Sequence, residues 1–397
     1  MPKIAFIHNC PFPFGGAERV SSLVATMLHR RGFEVWIFCT EVDKSRLSSE
    51  ELTSIRFETC GSFSGQHDFA DKVLEFDSRH HFDVIAVLSS LLRGINRISL
   101  HTPARIVYFQ HSTPFWELRY KFSSIQRRVA HNPYERLRLW LLESVLHRTE
   151  RRIKAQYLRA YNSCDAFGVL CEGYRRRFEQ TYGLGRPNQL RVIRNALPPL
   201  PAEYVPNKRH EVLYIGRLSY EDKRLDRLLE IWRRTEPRFP DWRLRIVGQG
   251  NDKERLQEMA VRTGLQRVEF HPFTTEPWRY YATASICCLT SDYEGWPLVL
   301  AEAQQTGTVP IAFDCVEGIS DILAPNWENG VLIRPFDLDS YTESLQRLMS
   351  DSSLRERISC RCIEKAREYS PDRMVSEWID MLDTLLAEGP RSVGRRD

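Results

Sequence analysis

The chain has 397 residues, 42% apolar and 27% charged, and its 56 Lys and Arg exceed its 52 Asp and Glu by only four. That length accommodates two or three domains at about 150 residues each, with room for a sizeable core. No apolar run approaches the ~18 residues needed to cross a bilayer, and a near-neutral balance without a nucleic-acid motif speaks against a nucleic-acid partner.

The N-terminus, Met1-Pro-Lys-Ile-Ala-Phe-Ile-His8, passes straight into a strand-like run without a charged leader or a small-residue cleavage site, so the expected location is the cytoplasm. Beyond it, short β-rich apolar runs alternate with helical periods, the pattern of parallel βαβ units. The first set of strands is expected at residues 4–7, 35–39, 83–88, 106–109, 166–170 and 190–193. After the first comes Asn9-Cys-Pro-Phe-Pro-Phe-Gly15-Gly16-Ala-Glu-Arg19, opening an amphipathic helix from about Ala17 to Gly32. Gly15 and Gly16 let backbone amides approach a phosphate, although most Gly-Gly pairs are simply turns and this is not Gly-x-Gly-x-x-Gly. His111, in Tyr108-Phe-Gln-His-Ser-Thr-Pro114, follows another buried-looking strand; a lone histidine is commonly structural, and the strand-end position gives it a ligand reading as well.

Between Glu117 and Arg159, eleven Lys or Arg stand against four Asp or Glu, a local excess of +7 in a chain of +4. Phe115, Trp116, Tyr120, Phe122, Trp140, Leu141, Leu142 and Ile153 are interleaved through this segment, which reads as helical around Pro133. Two readings stand side by side. One is a pair of surface helices with buried apolar faces. The other is a basic surface that rests on anionic headgroups or grips a lipid diphosphate, with Arg127, Arg128, Arg151 and Arg152 as its contacts.

The proline-rich stretch from Leu197 to His210 is too rich in proline for either element and reads as a linker. Strands resume at residues 212–215, 244–247, 268–270, 286–289, 309–312 and 331–333. The expectation is therefore an α/β chain of two doubly wound domains, 1–196 and 197–370, facing across a cleft where ligands bind beyond the strand ends. Arg217-Leu-Ser-Tyr-Glu-Asp-Lys223 follows the strand that ends at Gly216. Arg217 can clamp phosphate oxygens bidentately and Lys223 adds a point charge, the plain alternative being a surface Arg and a helix-start Lys. Arg224 is expected to be solvated. Gly248-Gln-Gly250 closes a further strand on small residues, either a nucleoside contact or an ordinary strand exit.

The last third carries Ser291-Asp-Tyr-Glu294-Gly-Trp-Pro297-Leu-Val-Leu-Ala-Glu302-Ala. Pro297 fits the first helical position, so the amides of Leu298 and Val299 project from a helix N-terminus that attracts phosphate. Glu294 before the helix and Glu302 inside it, eight positions apart, can address different parts of one ligand. A bare pair of glutamates reads as solvated side chains; Gly295, Trp296 and Pro297 between them, and the apolar run before them, favour a ligand. Ten scattered cysteines include Cys287-Cys288 and Cys360-Arg-Cys362, which match neither a zinc nor a redox spacing and are expected to be reduced packing residues.

Together the Gly-Gly-Ala-Glu-Arg opening, Gly216-Arg-Leu…Lys223, the Val-Gly-x-Gly turn and Glu294-Gly-x-Pro…Glu302-Ala resemble the retaining glycosyltransferases of family four, with the GT-B fold, in order along almost the whole chain. The resemblance implies transfer of a sugar from a nucleotide diphosphate donor with the anomeric configuration kept. It assigns Arg217 and Lys223 to the diphosphate, Glu294 and His111 to the donor sugar, Glu302 to the ribose hydroxyls, Gly16 to phosphate, and Asn195 to the position before the interdomain linker, and it implies that a C-terminal helix, 371–397, returns to complete the first domain. Three departures are visible: Ala196 and Arg224 stand where glycine is usual, and Gly307-Thr-Val-Pro310 moves the usual proline by one.

Asp337-Leu-Asp339 has the Asp-x-Asp form used by metal-dependent transferases of the other main fold, yet it precedes Ser340-Tyr-Thr-Glu343, where acids at a helix start are expected. No metal and no cofactor is expected. With Glu294 a weak nucleophile candidate, the expected chemistry is front-face substitution in which the leaving diphosphate helps to accept the acceptor's proton. The acceptor would be a glycan or a polyprenyl-diphosphate-linked glycan in surface polysaccharide synthesis, with the protein peripheral on the inner membrane face. A sugar-nucleotide epimerase and a non-catalytic sugar-nucleotide binder are the alternatives.

Overall fold

The β-branched and aromatic runs become strands that pair only in parallel. β1 (Lys3–Ile7), β2 (Glu34–Cys39), β3 (Ile55–Thr59), β4 (Val84–Val87), β5 (Arg105–Gln110), β6 (Ala166–Val169) and β7 (Leu190–Val192) form one sheet, in the order β3-β2-β1-β4-β5-β6-β7. β8 (Arg209–Ile215), β9 (Arg243–Val247), β10 (Val268–His271), β11 (Ala284–Leu289), β12 (Val309–Phe313) and β13 (Val331–Ile333) form a second, in the order β10-β9-β8-β11-β12-β13. The computed structural model describes residues 1–13, 15–88, 92–118, 135–184 and 189–392, so Arg127 and Arg128 lie outside the described residues. Two compact units result, unit 1 from Met1–Arg194 with Pro371–Asp397 and unit 2 from Asn195–Ser370.

In unit 1, Ile4, Ala5, Phe6 and Ile7 are all buried, as continuous apolar strands are when helices cover both sheet faces. The helix Pro371–Ala387 contributes to this core. Its apolar residues Met374, Val375, Trp378, Met381, Leu382 and Leu385 recur at helical spacing and are buried, which makes one continuous stripe. Trp378 meets Phe6 edge-on and stacks on Phe109, each at 5.5 Å between ring centroids. The edge strand β3 was not anticipated. Its sequence, IRFET, buries only Ile55 and leaves its charged residues at least partly exposed, so it lacks the apolar run that marks the other strands.

In unit 2, the proline-rich stretch lies on the body of the unit. Leu197 donates to the Tyr369 carbonyl (2.9 Å), Asn207 to that of Ala282 (2.9 Å), and the Tyr204 hydroxyl to that of Thr306 (2.9 Å). Among the described residues, no helix is long and apolar enough to cross a membrane. All ten cysteines are free; Cys287 and Cys288 are buried in β11, whereas Cys360 is exposed and so is not a packing residue.

The exits of β8 and β9 run against each other. Gly216 N–H donates to Val247 (3.0 Å) and Leu218 N–H to Gln249 (2.8 Å). A Cβ at Gly248 would sit 1.9 Å from the Gly216 carbonyl oxygen, and one at Gly250 would sit 2.1 Å from that of Leu218. These two glycines therefore have a structural cause, backbone packed on backbone. Gly248→Ala is expected to cost at least about 2 kcal/mol in urea unfolding. Gly264→Ala, with φ +75° but open space around it, is expected to cost only about 1 kcal/mol.

Candidate active site

In unit 2 the strand order reverses between β8 and β11, because the chain leaves β8 toward β9 and leaves β11 toward β12. Segments leaving two such neighbouring strands flank a crevice at their carboxyl ends. Lys223 comes from the first segment and Glu294 from the second, and they meet. Lys223 Nζ donates to both Glu294 oxygens, at 2.7 and 2.9 Å, and Ser291 Oγ adds a third bond at 2.6 Å. The two side chains are only 20% and 9% exposed, so this is a largely desolvated, charge-assisted contact.

Arg217 stands at the mouth of this segment, its side chain 66% exposed and paired with the 8%-exposed Asp222. The Tyr214 hydroxyl holds the Arg217 carbonyl at 2.8 Å. Burial pushes the Asp222 carboxyl up, but the Ser219 hydrogen bond and the charges of Lys223 and Arg217 outweigh it, and the net direction is down. Arg224 is not solvated. Its side chain is 18% exposed, bonds Asp226 at 3.0 and 2.9 Å, and reaches Asp292 at 3.2 Å. It caps the helix Leu225–Thr235 with φ 49°. That left-handed conformation is the physical reason glycine is usual there.

Pro297 is the N-cap of the helix Leu298–Gln305, with ψ 101°, and not its first residue. The correction leaves Leu298 and Val299 in the first turn, whose amides the helix itself cannot satisfy. Trp296 is 4% exposed. Its ring sits edge-on to Tyr369 (5.0 Å) and its Nε1 donates to Asp321 (3.1 Å), so this side chain serves packing within the unit. Gly295 lies in the turn between Glu294 and this buried ring. Glu302, one turn into the helix, accepts from the Tyr281 hydroxyl at 3.0 Å, and Tyr281 itself is buried. Asp337 and Asp339 take the structural roles expected of acids at a helix start: Asp337 accepts from the Ser340 amide (3.0 Å), and Asp339 pairs with Arg234 (2.7 Å). Asn195 is buried at the start of the unit, and Ala196 follows with no positive φ, so nothing there demands glycine.

In unit 1, Gly15 is the N-cap of the helix Gly16–Arg30. Its amide is already taken: Glu18 reaches back and accepts from it at 2.7 Å. An incoming phosphate is left the first-turn amides from Gly16 onward. His111 follows β5 with both ring nitrogens buried and without a hydrogen-bond partner, and burial lowers its pKa to about 4. His8, directly after β1, is a functional candidate that the sequence reading passed over. It is 1% exposed, its Nε2 also lacks a partner, and burial, then the nearby His111, lower its pKa to about 3. The signal was available, a titratable residue at a parallel-strand carboxyl end, the same one that singled out His111. Arg151 and Arg152 are exposed on the helix Glu135–Ser163, whose Ile153 and Tyr157 are buried.

Replacing Lys223 with methionine strands the nearly buried Glu294 carboxylate, and a loss of about 3 kcal/mol is expected. Adding Glu294→Gln should recover part of it. A urea double-mutant cycle checks this, and simple additivity of the two single losses would count against the coupling.

The family model for glycosyl transferases group 1 matches residues 201–368, and that for glycosyltransferase family 4 matches residues 14–199. The chain is 26% identical over 387 residues to an uncharacterized glycosyltransferase of Haemophilus influenzae, covering 96% of this chain and all of that protein. It is 32% identical over 164 residues to the lipopolysaccharide 1,6-galactosyltransferase of Salmonella typhimurium, 40% of this chain and 44% of that one. Among solved structures, Anabaena HepE in complex with UDP and glucose has a TM-score of 0.72 at 18% identity, covering 97% of this chain and all of HepE. With the two family matches running in tandem over unit 1 and unit 2, the chain belongs to the family-four glycosyltransferases and has their GT-B fold.

Proposed function

We propose that the chain transfers a sugar from a nucleoside diphosphate donor to a glycan or polyprenyl-diphosphate-linked glycan, with retention and without a metal, in the assembly of a surface polysaccharide. The Salmonella relative, a lipopolysaccharide 1,6-galactosyltransferase, and HepE, in complex with UDP and glucose, support the class of donor and acceptor. The observation that carries the reading is the Lys223–Glu294 pair with Arg217 beside it at the β8 and β11 ends.

Negative charge grows on the diphosphate as it leaves, and stabilising that charge is the largest task of the site. Arg217 is exposed enough to exchange Asp222 for a phosphate oxygen at little cost. Lys223 can swing from Glu294 toward the same phosphates, which frees Glu294 to accept from sugar hydroxyls. The amides of Leu298 and Val299 complete the anion site. Glu302, oriented by Tyr281, takes the ribose hydroxyls. His111 contacts the sugar as a neutral imidazole, since a group with its pKa lowered to about 4 is no proton donor near neutrality. The acceptor hydroxyl gives its proton to the departing diphosphate on the same face. Arg151 and Arg152 supply part of an anionic-surface contact on the cytoplasmic side of the membrane.

Arg217→Ala should cost about 1 kcal/mol of unfolding stability, since the nearly buried Asp222 loses its exposed partner but keeps the Ser219 hydrogen bond and the nearby Lys223 charge. It should also abolish the thermal shift produced by whichever sugar nucleotide stabilises the native chain. An undiminished shift in the variant would overturn the diphosphate assignment. NMR of the product's anomeric proton tests retention; an inverted linkage would rule out the front-face reaction.

A further inference from the structure

In unit 1, His8 follows β1 directly, Cys10 lies two residues on, and Glu18 sits in the first turn of the helix Gly16–Arg30. One ring nitrogen of His8, the Cys10 sulfur and one Glu18 oxygen all lie within 4.8 Å of one another. Cys10 Sγ donates to Glu18 Oε1 at 3.1 Å, while Glu18 Oε2 is anchored by the Gly15 amide at 2.7 Å. His8 is 1% exposed and its Nε2 has no hydrogen-bond partner. Cys10 and Glu18 are only partly buried, which leaves an entry path.

We infer that His8, Cys10 and Glu18 form a binding site for a thiophilic divalent cation of the Zn2+ type, with the fourth position open to water. One nitrogen, one sulfur and one carboxylate oxygen make a borderline-soft donor set that suits Zn2+ or Co2+. Mg2+ and Ca2+ require oxygen ligands, and the cluster offers a single carboxylate. The spacing fits as well. Ligands about 2.0–2.3 Å from a tetrahedral zinc stand roughly 3.6 Å apart, inside the range set by the 3.1 Å contact and the 4.8 Å limit. On binding, the Cys10 S–H bond breaks and its proton leaves to solvent. The sulfur–metal bond replaces it, and the Glu18 oxygen that had accepted the S–H hydrogen bond becomes a ligand. The Gly15 amide then serves as the outer hydrogen bond that holds the carboxylate in place. The site concerns unit 1 alone and does not depend on the donor chemistry proposed for unit 2.

The test titrates untagged, fully reduced protein with Co2+ and follows the absorption spectrum. The native chain should give one equivalent of tetrahedral cobalt, with intense visible bands and a thiolate-to-metal charge-transfer band in the near ultraviolet, bleached by Zn2+. Cys10→Ser should lose the charge-transfer band, and His8→Gln should bind Co2+ at least about tenfold more weakly, both with native-like thermal unfolding. A native chain without the charge-transfer band, or a Cys10→Ser chain that keeps it, overturns the site. Should Cys10→Ser fail to fold, His8→Gln decides alone, and unchanged affinity in it overturns the site equally.

Discussion

The Lys223–Glu294 contact is one of several largely buried ties between two loops of unit 2. Each loop leaves a neighbouring strand, and each is pinned by the other: Asp292 N–H donates to the Asp222 carbonyl (2.8 Å), and Thr290 Oγ1 lies 3.3 and 3.1 Å from the Lys223 and Arg224 carbonyls. Desolvating two opposite charges costs several kcal/mol per ion, which their attraction offsets only when the geometry is good and the remaining valences are met. Ser291 meets one of them here. Either charge alone would be strongly unfavourable in this position, so the two loops adopt one shared conformation. In the proposed function a phosphate arriving at Lys223 substitutes one anion for another, so the site is organised for charge before its ligand arrives.

Arg224 shows how a chain meets a backbone demand without the usual residue. A left-handed non-glycine residue costs about 1 kcal/mol. Against that stand the bidentate bond to Asp226 and the contact with Asp292, which also binds Arg227 at 2.6 Å. The charged cluster that stabilises this conformation also fixes Asp292, whose amide holds the Lys223 loop. A glycine would satisfy the turn sterically but contribute nothing to that second function.

How much of this was legible in the sequence follows from range. Strands buried on both faces announce themselves as apolar runs, and twelve of the thirteen strands among the described residues were read from sequence; β3, at a sheet edge with Ile55 alone buried, has too little apolar pattern. Motif spacing pointed to Lys223 and Glu294 because residues after parallel strands collect at one sheet end. What spacing could not supply was the direction of a side chain. Trp296 sits between two candidate ligand residues yet turns inward to Tyr369, and Arg224 turns from solvent to Asp226 beside it and to Asp292 far along the chain. Pro297 was misplaced by one position because its fixed φ suits both the N-cap and the first helical turn, and only ψ separates them.

The two units present different chemistry at their strand ends. Unit 2 offers formal charges in compensated pairs, Lys223 with Glu294 and Arg217 with Asp222. Unit 1 offers His8 and His111, whose burial holds both imidazoles neutral, with pKa values lowered to about 3 and about 4. A neutral imidazole carries one donor and one acceptor, which complements a hydroxyl; an anion asks for donors and positive charge. Unpartnered buried nitrogens are costly to maintain, and a ligand that satisfies them recovers that cost on binding. The proposed function therefore assigns the charge of a diphosphate to unit 2 and the uncharged hydroxyls of a sugar or an acceptor to His111 in unit 1.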